Sequence, residues 1–341
     1  MKNLSGKKIL IFGGSGSLGQ ALIKRLHGNN ELCVYSRDEA KHWTIKNDFK
    51  SENLQFLVGD IRDLNRVEES IKRFRPNIII IASALKQVDT CELSPFESIQ
   101  TNIIGINNIV DSICRNIETM NAFLETVLMV STDKACAPVN IYGMCKAIAE
   151  RVVTSKAVDH TTPKFVGVRY GNVLESRGSI IPLFRHQAMK ADAFTVTHEK
   201  MTRYLMTLDD SIDLIIDTVQ KAKSGEIWLP KLRSMSIIDL AEIFSKKFSK
   251  PIKIIGMRPG EKLHEDLISE AESVRVQDIG SHYVLSPAHE KVSKGENLFN
   301  YTSGDDVMSK SELESYLNSI GILDLDLNAF PGKHIEEIRT S

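Results

Sequence analysis

From the amino terminus to about Tyr170, stretches that are apolar throughout alternate with amphipathic segments. The apolar stretches are KKILIFGG (7–14), ELCVYS (31–36), LQFLVGD (54–60), NIIIIASA (77–84), TVLMVST (126–132) and KFVGVRYG (164–171). Unbroken apolarity, rather than strict alternation, suits strands covered on both faces, with the amphipathic segments serving as crossover helices. The predicted class is therefore α/β, a doubly wound parallel sheet. Beyond Asn172 the rhythm loosens into loops around Arg177, then a helix over about 208–223, a short strand EIWLP (226–230), a helix over 236–248 and a strand KPIKIIG (250–256). This change predicts a sheet domain over 1–170 and a smaller α/β domain over 171–320, interleaved with the first. No Gly/Ser linker divides them, so a shared interface with a ligand cleft is expected. Residues 321–341 read as a tail whose Ile322, Leu323, Leu325, Leu327 and Phe330 suit docking on the body or on a neighbouring subunit.

The chain of 341 residues sets 43 basic against 44 acidic side chains, a net charge of -1. That balance lacks the positive footprint of a nucleic-acid binder, so no such partner is expected. The longest apolar stretch, about Ile78–Ala82, is far below the ~18 residues of a membrane helix. The amino terminus runs into a strand without a signal-peptide layout, and a cytoplasmic location with no membrane partner is expected. Cys33, Cys91, Cys114, Cys136 and Cys145 are scattered and odd in number. They read as buried free thiols, and no metal site is expected.

Directly after the first strand, Gly13-Gly14-Ser15-Gly16-Ser17-Leu18-Gly19 opens a helix. A tight strand-to-helix turn lets a pyrophosphate approach bare backbone and sit on the helix N-terminus, which makes the fold Rossmann-like. Gly13, Ser15, Gly16, Ser17, Leu18 and Gly19 are the candidate phosphate-binding residues. An acidic residue closing the second strand would hold the ribose 2′-hydroxyl of NAD, but Tyr35-Ser36-Arg37 stands there. Ser36 and Arg37 suit a 2′-phosphate, so NADP is the expected cofactor; Asp38 and Glu39 follow closely and leave NAD open. Asp60 and Ile61 suit an adenine edge, and Ala82 and Ala84 at the end of the fourth strand complete the candidate cofactor site.

The fifth strand ends in Ser131-Thr132-Asp133-Lys134, and Tyr142 and Lys146 follow four residues apart on a helix. That spacing puts phenol and ammonium on one helix face, where the ammonium is expected to lower the phenol pKa from ~10. Thr132, Asp133, Lys134, Tyr142 and Lys146 are the candidate catalytic residues, with Tyr142 and Lys146 also touching the cofactor.

These motifs resemble the extended short-chain dehydrogenase/reductases, and within them the inverting UDP-N-acetylglucosamine 4,6-dehydratases of polysaccharide biosynthesis. The resemblance spans nearly the whole chain through SRDE (36–39), ALKQV (84–88), STDKA (131–135), NIYG (140–143), VRYGNV (168–173), SRGSIIPLF (176–184), MTRYLMTLD (201–209) and RPGEKLHE (258–265). Two departures stand out. Ile81-Ala82-Ser83 and Gln87 occupy places where histidines are frequent in the family, and the helix reads YGMCK rather than YGATK.

The resemblance implies a hydro-lyase with tightly held, internally recycled NADP. Its product would be UDP-2-acetamido-2,6-dideoxy-β-L-arabino-hex-4-ulose. Oxidation at C4 acidifies the C5 proton, and elimination then needs a base at C5 and an acid at O6. Asp133 is expected to be the acid and Lys134 the base, although the roles could be exchanged. Lys134 must then shed its proton from ~10.4, which burial beside Lys146 is expected to promote. Arg203 and Arg258 suit the diphosphate, Glu261 the ribose and Asn172 a sugar or phosphate oxygen. Arg177, Lys231 and Lys86 complete the candidate substrate site, whereas His264 receives no role. The family also suggests a homo-oligomer, a dimer or a hexamer. The alternatives are a retaining 4,6-dehydratase, a UDP-sugar 4-epimerase, which needs no acid and base at C5 and C6, and a redox-sensing NADP binder.

Overall fold

The computed structural model describes residues 2–176, 178–290 and 298–324. Six parallel strands follow the apolar stretches: β1 (Lys8–Phe12), β2 (Glu31–Ser36), β3 (Leu54–Val58), β4 (Ile78–Ile81), β5 (Thr126–Val130) and β6 (Lys164–Val168). They lie in the order β3-β2-β1-β4-β5-β6. The order reverses between β1 and β4, and in doubly wound sheets that switch point opens a crevice at the carboxyl ends of the strands. The interiors of β1, β2 and β4 are fully excluded from solvent, with helices on both faces supplying two hydrophobic clusters.

The second half contributes more to this sheet than expected. Ile227–Pro230, assigned above to the smaller domain, pairs parallel with β6 through Gly167–Ile227 and Val168–Trp228. His282–Leu285 and Val276–Asp278 then extend the sheet antiparallel, giving nine strands. The physical reason was visible in the run itself: Ile227, Trp228 and Leu229 are all buried, the signature of a strand covered on both faces.

The smaller lobe has its own core. Phe184, Phe194 and Phe244 meet with ring centroids 5.3–5.9 Å apart, beneath the helices Ile180–Lys190, Ile237–Phe248 and Lys310–Ser319. Of the tail, Ile322 and Leu323 are buried in this core. Leu325, Leu327 and Phe330 lie outside the described residues. Cys33, Cys91, Cys136 and Cys145 are buried free thiols, and Cys114 is half-buried. Among the described residues no helix is long and apolar enough to cross a membrane.

A buried ionic clamp ties the halves together. Arg169, just past β6, forks onto Glu150 of the helix Ile141–Thr154 at 2.6 and 3.0 Å. The same guanidinium holds Glu272 through two bonds of 2.8 Å and the carbonyl of Leu267 at 3.0 Å. Burial pushes the Glu272 carboxyl up, but the Arg169 bonds outweigh it and hold the group down at about 2. Removing one partner of such a cluster strands the others. Arg169→Met is expected to cost about 3–5 kcal/mol in urea unfolding; a loss below about 1 kcal/mol would show that the clamp does not join the halves.

Candidate active site

The phosphate loop joins β1 to the helix Ser17–Leu26. Gly13 sits at φ +83°, and a Cβ there would come within 2.7 Å of the Ser83 backbone nitrogen. A Cβ on Gly19 would meet the Gly14 carbonyl oxygen at 2.2 Å, so only glycine lets helix and loop close. Gly16 caps the helix without a side-chain hydrogen bond. The loop therefore presents a bare helix N-terminus, the geometry that accepts a pyrophosphate.

This loop lines one end of a cleft of about 680 Å³. Ser15, Ser17, Leu18, Ser36, Arg37, Asp60, Ile61, Ala82 and Ala84 line it as well. Among the described residues, Lys231 alone of the expected site residues does not. Its ammonium bonds both oxygens of Asp278 at 2.7 Å and lies 4.7 Å from the Tyr283 ring centroid. That corrects its assignment: a strand pair at the sheet edge already satisfies its charge. Arg177 lies outside the described residues.

At the nucleotide end, Ser36 shares a 2.7 Å hydrogen bond with His42 Nε2. Arg37 is exposed at the rim, 3.5 Å from Asp60. Arg62 holds the Asp60 carboxylate through two bonds of 2.7 and 3.0 Å. Asp38 is occupied: its side chain caps the helix Glu39–Phe49 by accepting from the Lys41 backbone, and Lys41 Nζ pairs with it at 2.5 Å.

The chemistry-bearing groups stand at the carboxyl end of β5. Thr132 Oγ1 donates to Asp133 Oδ1 at 2.8 Å, and Asp133–Ala135 form a short helical turn. The following helix begins at Ile141, where Asn140 accepts from the Gly143 backbone at 2.8 Å and donates to the Gly260 carbonyl at 2.8 Å. A Cβ at Gly143 would lie 2.1 Å from the Lys134 carbonyl oxygen. The helix carrying Tyr142 and the turn carrying Asp133 and Lys134 are thus in backbone contact.

The electrostatics correct two expectations. Burial pushes the Tyr142 phenol up to about 12, and the charge that pulls against it is Lys134. Lys146 instead donates to the Val130 carbonyl at 2.6 Å, and burial lowers its pKa to about 8. Lys134 is not depressed either. Burial favours its neutral form, but Asp133 at 3.1 Å and Glu265 at 3.2 Å outweigh it and raise its pKa. Asp133 is fully buried, and desolvation raises its carboxyl despite the neighbouring ammonium.

Glu265 was not read as a site residue. It is buried, lines the cleft, and faces Arg203 Nε at 3.6 Å as well as Lys134. Its place at the end of RPGEKLHE was the available signal. Arg203 has Nη1 committed to the carbonyls of Thr202 and Leu263. Asn102 was also missed: its side chain both donates to and accepts from the Leu85 backbone, at 2.8 and 2.9 Å, fixing the loop after β4. Asn172 Oδ1 is buried without a partner on the cleft wall, a polar atom set for a ligand. Lys86, Arg258 and Glu261 line the outer cleft, where Glu261 accepts from the Arg258 backbone at 3.1 Å.

Compared with known proteins, residues 9–287 match the family model described as polysaccharide biosynthesis protein. The chain belongs to that family. A Campylobacter jejuni protein named UDP-N-acetylglucosamine 4,6-dehydratase (inverting) is 34% identical over 331 residues, covering 91% of this chain and 96% of its own. A Rickettsia bellii protein named UDP-glucose 4-epimerase is 37% identical over 287 residues, covering 81% of this chain and 82% of its own. Among solved structures, Pen from Bacillus thuringiensis is 29% identical with a TM-score of 0.84, covering 93% of this chain and 99% of its own. A Streptomyces venezuelae dTDP-glucose 4,6-dehydratase solved with NAD shares the fold, with a TM-score of 0.66 at 17% identity over 75% of this chain and 86% of its own.

The Gly143 contact makes a direct prediction. Gly143→Ala is expected to leave a folded protein whose turnover falls about 10²-fold, because a displacement near 1 Å of reacting groups costs about that much. Unchanged turnover would show that the helix and the turn need not touch.

Proposed function

We propose that this protein is an NADP-dependent UDP-GlcNAc 4,6-dehydratase that inverts C5. The observation that carries the reading is the buried Asp133–Lys134 pair on the same cleft wall as Tyr142. An epimerase would need only the tyrosine and the cofactor, whereas elimination needs an additional acid and base near adjacent carbons. The bare phosphate loop, the cleft volume and the names of the relatives across nearly the whole chain support the same reading. Ser36 and Arg37 at the rim, with Asp38 already engaged by Lys41, favour NADP over NAD.

In this reading Gly13, Ser15, Gly16, Ser36 and Arg37 would hold the dinucleotide, which would supply reversible hydride transfer at the sugar. Tyr142 takes the proton of the C4 hydroxyl as its phenolate, the form that the Lys134 charge and the Thr132 hydroxyl favour against the burial that keeps the phenol protonated. Asp133, whose carboxyl burial raises, delivers a proton to O6, and Lys134 draws the C5 proton. Asn172 and Arg203 hold the sugar nucleotide from the opposite half, with Arg258 and Glu261 further out. Return of a proton to the opposite face of C5 gives the L-configured product. Exposed Leu93, Phe96, Met144 and Ile148 support a homo-oligomer. A cytoplasmic location is part of the same proposal.

A second reading, UDP-sugar 4-epimerase, is favoured by the name of the Rickettsia relative. One experiment separates the two. UDP-GlcNAc incubated without added cofactor is expected to lose the mass of one water, and Lys134→Ala is expected to stay folded and cofactor-bound while water loss falls at least about 10²-fold. A product of unchanged mass, or full water loss in that variant, would overturn the proposal.

A further inference from the structure

We infer that Glu265 governs the protons of the elimination step: it keeps Asp133 in its acid form and takes the proton that Lys134 must lose to become a base. The inference rests on the dehydratase reading above and deepens it. Lys134 Nζ lies between Asp133 Oδ1 at 3.1 Å and Glu265 Oε1 at 3.2 Å. Both carboxylates are buried, and the outer oxygen of each, Asp133 Oδ2 and Glu265 Oε2, is buried without a partner. Lys134 is shared between the two carboxylates, so the one with less compensation from other charges is the one that takes a proton. Arg203 Nε, 3.6 Å from Glu265, selects which: Glu265 is the anion and Asp133 the acid. The directions of their shifts agree, Asp133 raised by desolvation and Glu265 lowered by Lys134 and Arg203 against the effect of its burial.

The protons then balance at every stage. At rest the trio is Asp133 carboxylic acid, Lys134 ammonium and Glu265 carboxylate. When the sugar covers the cleft, the Lys134 proton crosses its hydrogen bond to Glu265, leaving a free amine and two carboxylic acids. The amine takes the C5 proton, the C5 electron pair forms the C5–C6 double bond, and the C6–O bond breaks as Asp133 protonates the departing oxygen. Lys134 then passes a proton to Asp133 and recovers one from Glu265, which restores the resting state. The net charge of the three groups is the same at every stage, so the site as a whole neither gains nor loses a charge. With Asp133 and Lys134 alone the favoured state would be the ion pair, with acid ionised and base protonated, the wrong state for both tasks. Glu265 acts through its two neighbours and is a positioning residue.

Glu265→Gln keeps the shape and removes the charge. It is expected to bind UDP-GlcNAc within a few-fold by calorimetry and to oxidise C4 in a single turnover, seen as reduced-cofactor absorbance that persists. Water loss should slow by about 10² or more. The alkaline limb of kcat should move to higher pH, because the proton lost first is then that of Lys134 paired with an ionised Asp133 rather than that of Asp133. Glu265→Asp, which restores the charge, should keep the native alkaline limb with water loss within about tenfold of native. Water loss in the Gln variant within a few-fold of native, or an unmoved alkaline limb, would overturn the inference. Should the Gln variant fail to fold, the Asp variant decides: equal loss of binding, oxidation and elimination would reduce Glu265 to a structural role. Failure of the dehydratase reading looks different, since the native enzyme itself would then release no water.

Discussion

A single ammonium held between two buried carboxylates is the constraint around which this site is organised. Asp133 and Lys134 come from the turn after β5 and Glu265 from the C-terminal half, so the trio exists only when the two halves are closed on one another. Leaving any one of these charges unpaired in the interior would cost several kcal/mol, and the pairing therefore both shapes the site and holds the halves together. The same arrangement makes the protonation states a collective property of three groups rather than of any one of them.

The rest of the fold serves to keep this trio opposite the phosphate loop. The switch point between β1 and β4 opens the cleft, and Gly13 and Gly19 let the first helix aim its N-terminus into it. Backbone contact between Gly143 and Lys134 sets the distance from Tyr142 to the turn. Asn140 extends the same chain of contacts to Gly260, in the segment that leads to Glu265. Arg169 anchors the far end of the helix that carries Tyr142 through Glu150 and joins it to Glu272. Each of these contacts links local geometry to the site, which is why small residues and buried ion pairs cluster along this one path.

Much of this is legible in the amino-acid sequence. The apolar stretches gave six strands because a two-sided parallel sheet has a sequence signature, and the glycine spacing gave the loop because backbone approach leaves no room for a Cβ. Tyr142, Asp133 and Lys134 were legible as neighbours because helix and turn are local. Glu265 was not, since its role depends on a contact with a residue from the opposite half. The same holds for Asn102, whose bonds to Leu85 have no periodic trace. The Lys134 pKa was read in the wrong direction because sequence showed the burial but not the second carboxylate. Lys231 was misplaced because its partner, Asp278, sits on a strand that only the folded sheet brings near.

The most direct measurement follows a label through one molecule. UDP-GlcNAc carrying deuterium at C4 should yield a 6-deoxy product with that deuterium at C6 and a solvent-derived hydrogen at C5. Deuterium lost to released cofactor, or returned to C4 of an intact hexose, would contradict the account.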